Sequence, residues 1–270
     1  MKLFLEVYLF ALGAITGSFL NVCILRLPEG KSLVWPGSHC PKCEKPIRWF
    51  DNIPIISFII LRGRCRRCGS SISWQYPAVE LLTACFFVLL MQRFTNFVAL
   101  AIYLLFTSSL IVVTFIDLKH YIIPDEISIP GVFVGLAVSL LPARIAGGQL
   151  VSSSFLDSLI GCITGGGILF LVAEFSLIFL KKEGMGGGDV KLLAMIGAFL
   201  GWKLVLMTII VGSVMGAAVG VALILLRLKT RADYIPFGPY LALGAILAVI
   251  CGEQLLALYL AFGESLNSFP

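Results

Sequence analysis

Two aspartates and four cysteines have the chemistry and the spacing to act. Asp117 closes Thr114-Phe115-Ile116-Asp117, and Asp189 closes the glycine run Gly184-Met185-Gly186-Gly187-Gly188-Asp189. Each stands at the end of a long apolar segment, where an ionisable group is expensive and is a functional candidate by default. Two carboxylates in one site do not both ionise readily, so they share a proton. Such a pair can hydrolyse a peptide bond. One carboxylate takes a proton from water while the other, protonated, donates to the carbonyl oxygen. This chemistry requires no metal, nucleophilic serine or cofactor. It does require the 71 positions between the two acids to fold back on themselves.

The setting of Asp189 supports that reading. Gly186, Gly187 and Gly188 clear side chains from the approach to the acid, so a substrate backbone can come close. The run is not a phosphate-binding loop, because no G-K-[ST] follows it. Lys191 stands ready to hold a substrate group or to meet lipid headgroups. Each aspartate alone also reads as an interfacial anchor. Among the other acids, Asp125 after Pro124 reads as a helix cap, and Asp157 and Asp233 fall near helix ends. Glu80 and Glu174 fall within apolar segments, as pocket residues or interhelical hydrogen-bond partners.

The cysteines form Cys40-Pro41-Lys42-Cys43 and Cys65-Arg66-Arg67-Cys68, with 21 residues between the pairs. Two residues between thiols let one tight turn aim both sulfurs at a tetrahedral ion, so the set reads as a four-thiolate zinc site. Four protein ligands leave no open position, which makes such zinc structural. Two disulfides or a dithiol redox pair are the other readings, and a cytoplasmic location opposes stable disulfides. His39 is a neighbouring group or a plain surface residue. Cys23, Cys85, Cys162 and Cys251 lie in apolar runs and read as buried small hydrophobes.

These residues are carried by a chain made for lipid. Of 270 residues, 59% are hydrophobic and 13% charged, against about 25% charged in a soluble domain; the mean hydropathy is +1.01. Eight apolar stretches are candidate helices, at 4–25, 77–91, 96–116, 126–142, 155–180, 189–201, 203–226 and 237–262. The fold class is therefore an all-α polytopic membrane protein of about eight transmembrane helices with a small zinc-binding insert after the first. The domains read as a first helix (1–25), the insert (26–76) and a membrane domain (77–270). The first segment is too long for a signal-peptide core and reads as an uncleaved helix. No internal repeat is expected.

Alternate loops differ sharply in charge. Sixteen Lys and Arg fall on the side of residues 26–76, and only Lys2, Arg93, Arg144 and Lys203 on the other. The positive-inside rule then puts the insert and both aspartates on the cytoplasmic side. The net charge of +5 reflects this asymmetry and not a nucleic-acid surface. Gly212, Gly216 and Gly220 form a stripe suited to close helix packing, and Gly165-Gly166-Gly167 reads the same way. Pro236-Phe237-Gly238-Pro239 starts the last helix or lines the site. Trp35, Trp49, Trp74 and Trp202 suit an interface.

Taken together, these motifs resemble the type IV prepilin leader peptidases, membrane aspartic proteases of the G-x-G-D type. The resemblance runs through Gly17-Ser18-Phe19-Leu20-Asn21-Val22, Arg26-Leu27-Pro28, Pro36 to Cys43, Trp49 to Pro54, Gly63 to Cys68 and Tyr76 to Glu80. It continues through Asp117 to Asp125, Gly186-Gly187-Gly188-Asp189 and Pro236 to Pro239. It implies that Asp117 and Asp189 are the catalytic pair of a membrane aspartic endopeptidase. The implied substrates are prepilins and pseudopilins, cut after a glycine that follows a basic leader, at the cytoplasmic face of the bacterial inner membrane. It further implies N-methylation of the new amine with S-adenosylmethionine, an activity that members with the cysteine insert carry. The rival readings are a transporter or channel-like protein with a zinc partner-binding module, a membrane thiol oxidoreductase, and another intramembrane aspartic protease. The absence of repeats weakens the first.

Overall fold

The structure is a computed structural model that describes residues 2–152, 154–181, 186–230 and 233–267, without the side chains of 180, 253 and 255–267. Gly184 and Met185 of the glycine run lie outside this set, as do Lys182, Arg231 and the side chain of Glu253. Nine helices carry the described chain. They are α1 (Lys2–Arg26), α2 (Ile56–Ile60), α3 (Gln75–Arg93), α4 (Phe97–His120), α5 (Asp125–Val138), α6 (Ala143–Ala146), α7 (Phe155–Phe175), α8 (Gly187–Leu225) and α9 (Gly238–Asn267). Among the described residues, five candidate spans, against the eight expected, are long and apolar enough to cross a membrane: Lys2–Glu29, Gln75–Arg93, Phe97–His120, Phe155–Phe179 and Gly187–Leu225.

The apolar stretches read from sequence each coincide with a helix, and two of them share α8. Its 39 residues are broken at Gly201, whose φ of 77° and ψ of 175° are not helical. Only glycine adopts that conformation without strain. A Cβ there would also stand 2.5 Å from Oδ2 of Asp157. Asp157 lies in the first turn of α7, and its Oδ1 accepts the N–H of Trp202 at 3.3 Å. The second half of α8 thus begins on a carboxylate from α7, which satisfies a donor that a helix start leaves unpaired.

The chain divides into two compact units, Met1–Ile116 and Asp117–Pro270. In the first, α1 packs on α3 at glycine positions. A Cβ on Gly17 would lie 2.6 Å from the Cα of Glu80, and one on Gly13 2.7 Å from the Cα of Ala84. Asn21 of α1 is 1% exposed and donates to the carbonyl of Tyr76 at 3.1 Å. Buried polar groups need such partners, so this bond fixes how α3 sits against α1.

In the second unit α7, α8 and α9 pack successively, again through small residues. A Cβ on Gly165 would meet the carbonyl of Leu193 at 2.5 Å, and one on Gly212 the carbonyl of Tyr240 at 3.1 Å. The expected close packing of both glycine stripes is present, although Gly167 faces open space. Small residues let backbones approach where lipid supplies no hydrophobic drive between helices.

Three smaller expectations change. Asp125 is the first residue of α5, makes no side-chain cap and is engaged instead by a lysine. Cys85 is exposed, whereas Cys23 is buried and Cys162 and Cys251 are intermediate; an apolar run in lipid buries only the face that meets another helix. Glu174 is exposed for the same reason.

Candidate active site and metal centre

The insert is built from one turn used twice. In the first knuckle the N–H of Cys40 donates to the carbonyl of Lys45 at 3.0 Å, and that of Glu44 to the carbonyl of Cys40 at 2.8 Å. In the second, Cys65 donates to Ser70 at 2.8 Å and Gly69 to Cys65 at 2.9 Å. Glu44 and Gly69 both have positive φ, and single antiparallel bridges, His39 with Pro46 and Arg64 with Ser71, close the two turns. The signal for both turns in the sequence was the C-x-x-C pair itself.

The two turns bring all four cysteines together. The sulfurs of Cys40, Cys43, Cys65 and Cys68 lie within 4.8 Å of one another, with Cys40 and Cys68 3.8 Å apart. A tetrahedral ion with metal–sulfur bonds of about 2.3 Å sets its ligands about 3.8 Å apart. Backbone N–H groups of Cys43 and Lys42 aimed at Cys40 lower its thiol to about 6. A backbone hydrogen bond from Lys45 holds Cys43 down, yet desolvation and the sulfurs of Cys40 and Cys68 carry it up to about 11. A cluster whose thiolates hinder each other in this way suits a cation. His39 takes no part; its Nδ1 lies 2.9 Å from the carbonyl of Gly37.

Between the knuckles the chain is tied to the helices. Arg66 makes a bidentate contact with Asp51 at 2.8–3.0 Å. Ile55 takes the strained φ of 63°, and its N–H donates to Oε2 of Glu80 at 2.7 Å. Glu80 is therefore a hydrogen-bond anchor for the insert. Val34, Trp35, Trp49 and Trp74 are 76–84% exposed.

Both aspartates belong to the second unit. Asp117 lies in the last turn of α4 and Asp189 in the first turn of α8, and each is 4% exposed. Oδ2 of Asp117 accepts the N–H of Gly238 at 3.0 Å. Ile123 packs against a glycine beside each acid: a Cβ on Gly238 would lie 3.3 Å from its Cδ1, and one on Gly188 2.9 Å from its Cβ. The charge of Asp117 is felt at Asp189. Tyr234 registers both, its phenol pushed up by burial and then by the charges of Asp189 and Asp117. Its ring meets that of Tyr121 edge-on at 5.5 Å.

Gly186 and Gly187 are exposed and Gly188 is half-buried; the carbonyl of Gly186 accepts the N–H of Asp189 at 3.1 Å. Lys191 is committed to Asp125, with Nζ 2.8 Å from each carboxylate oxygen. Two buried carboxylates that sense each other, one with a free approach, can share a proton and activate water. Gly238, Ile123 and Tyr234 were not singled out from sequence as companions of the acids. The Pro236 to Pro239 motif was the available signal for Gly238.

A multi-pass membrane protein with this carboxylate pair and a four-cysteine module is a membrane aspartic protease in form. Residues 104–221 match the type IV leader peptidase family, and residues 11–94 match the bacterial peptidase A24 N-terminal domain. A prepilin leader peptidase/N-methyltransferase of Aeromonas salmonicida is 37% identical, over 94% of this chain and 93% of its own. That of Pseudomonas aeruginosa is 36% identical over 93% and 92%. That of Myxococcus xanthus is 39% identical over 81% of this chain and 63% of its own. No solved structure matches. The chain belongs to the type IV leader peptidase family.

Proposed function

We propose that this protein is a membrane aspartic endopeptidase that removes the basic leader of type IV prepilins and pseudopilins after a glycine, and then N-methylates the new amine. The observation that carries the first activity is that Asp117 and Asp189 are both buried, at helix ends in the same unit. Their relatives' names support both activities. One carboxylate takes a proton from water as the oxygen attacks the scissile carbonyl carbon. The other, protonated, donates to the carbonyl oxygen. Collapse expels the amine, which leaves with a proton, so the elements of water add across the C–N bond. Gly186, Gly187 and Gly188 give the substrate backbone its path to Asp189.

Zinc is the ion that four thiolates at this spacing favour, with Cys40, Cys43, Cys65 and Cys68 as its ligands. It would hold the two knuckles together and leave no open position for catalysis. S-adenosylmethionine would supply the methyl group. Two buried polar atoms at the base of the insert, Oδ1 of Asn21 and Nε2 of Gln75, have no hydrogen-bond partner, which suits a polar ligand there. In this reading the chain comprises a first helix, the insert at 26–76 and a protease domain at 77–270. It lies in the bacterial inner membrane, with the insert and the active site on the cytoplasmic side. The excess of Lys and Arg in alternate loops supports that orientation.

The test is mass spectrometry of a purified prepilin incubated with membranes containing the protein and S-adenosylmethionine. Wild type should yield the leaderless product carrying one added methyl, whereas Asp117→Asn and Asp189→Asn should yield none. Cleavage that survives either substitution removes that residue from the pair.

A further inference from the structure

We infer that Gly238, at the head of α9, is a positioning residue for proteolysis: its backbone N–H holds Oδ2 of Asp117 in place, and its missing side chain makes room for that oxygen. This rests on Asp117 and Asp189 being the catalytic pair.

The two acids are held unequally. Oδ2 of Asp117 accepts the buried N–H of Gly238 at 3.0 Å. Oδ1 of Asp189 is buried with no hydrogen-bond partner. The first N–H groups of a helix have no intrahelical acceptor and sit at the positive end of its dipole. The head of α9 therefore offers Asp117 a donor that the helix itself does not use. Oδ2 of Asp117 is thus held by the backbone, whereas Oδ1 of Asp189 is held by no protein donor.

The second observation is steric. A Cβ at position 238 would stand 2.6 Å from Oδ2 of Asp117 and 3.3 Å from Cδ1 of Ile123. Either the carboxylate or the start of α9 must then move. Glycine elsewhere in α9 has another purpose. A Cβ on Gly244 would meet the carbonyl of Thr208 at 2.9 Å and the N–H of Gly212 at 3.4 Å, which are backbone atoms of α8. Gly238 faces an acid and Gly244 faces a helix.

Gly238→Ala and Gly244→Ala therefore separate positioning from packing. Both variants are purified in detergent, their melting is recorded, and kcat, KM and direct prepilin affinity are measured. A displacement of about 1 Å in a reacting group costs on the order of 100-fold in rate. Gly238→Ala should lose about that much kcat while KM, prepilin affinity and melting stay within twofold or a few degrees of wild type. Gly244→Ala should lower melting with kcat retained. Wild-type kcat in Gly238→Ala overturns the inference, as does an equal kcat loss in both variants. So does a Gly238→Ala protein that melts early and no longer binds prepilin, since that marks a folding role. If Asp117→Asn still cleaves, the catalytic pair itself fails; if it is dead and Gly238→Ala is active, only the positioning role fails.

Discussion

Lys191 reaches across from near the start of α8 to Asp125 at the start of α5, placing Nζ 2.8 Å from both carboxylate oxygens. The pair is partly open, with side chains 44% and 53% exposed, so its contribution to stability is at most about 1 kcal/mol. Its importance is positional, because Lys191 is two residues beyond Asp189 and Asp125 two beyond Ile123, which packs at Gly188. Lys191→Ala should lower prepilin cleavage by roughly 3- to 10-fold with melting nearly unchanged. The exchange Lys191→Asp with Asp125→Lys should restore most of it. A double variant no better than either single one would show that the lysine acts alone.

The metal centre should govern the first unit. Replacing Cys40 or Cys65 with serine should remove the bound ion, read as metal content per chain, and lower melting in detergent. Metal binding supplies folding energy that so small a segment lacks. A strong chelator should do the same to wild type. Full metal content in a Cys40→Ser protein would exclude that sulfur as a ligand.

Glu80 anchors the insert through the N–H of Ile55 at 2.7 Å. Glu80→Gln keeps an acceptor and should cleave prepilin like wild type, because no carboxylate chemistry is asked of this residue. Glu80→Ala leaves the N–H unpaired at a cost of about 1–3 kcal/mol and should expose the segment 51–56 to limited proteolysis. Loss of cleavage in Glu80→Gln at normal stability would assign it a chemical role.

Gly201 is required by both conformation and space. Alanine there would adopt a φ of 77° with its Cβ 2.5 Å from Oδ2 of Asp157. A strained residue of this kind costs about 1–3 kcal/mol, read as earlier melting. Asp157→Ala, which removes the acceptor for Trp202, should be milder, about 1 kcal/mol. A neutral Gly201→Ala would mean that the two halves of α8 join without this break.

Much of the architecture was legible before any coordinate, and for a simple reason. A helix in lipid satisfies its own backbone hydrogen bonds, so apolar runs alone located the long helices, down to the division of α8 near residue 202. The C-x-x-C spacing was equally informative, since the geometry of a two-residue turn is local.

Contacts between distant residues were not legible. Asp125 carries the signature of a helix cap, yet its carboxylate faces Lys191, 66 positions away. Glu80 resembled Glu174 in sequence; one is buried on Ile55 and the other exposed, because packing on α1 selects the face. The sequence by itself determined the helices, the knuckles and the two acids. Only the tertiary structure decided that Asp117 rests on the N–H of Gly238 and that Ile123 packs against both Gly238 and Gly188. Nothing in a local pattern encodes which helix end meets which carboxylate; glycine contacts among α7, α8 and α9 settle it.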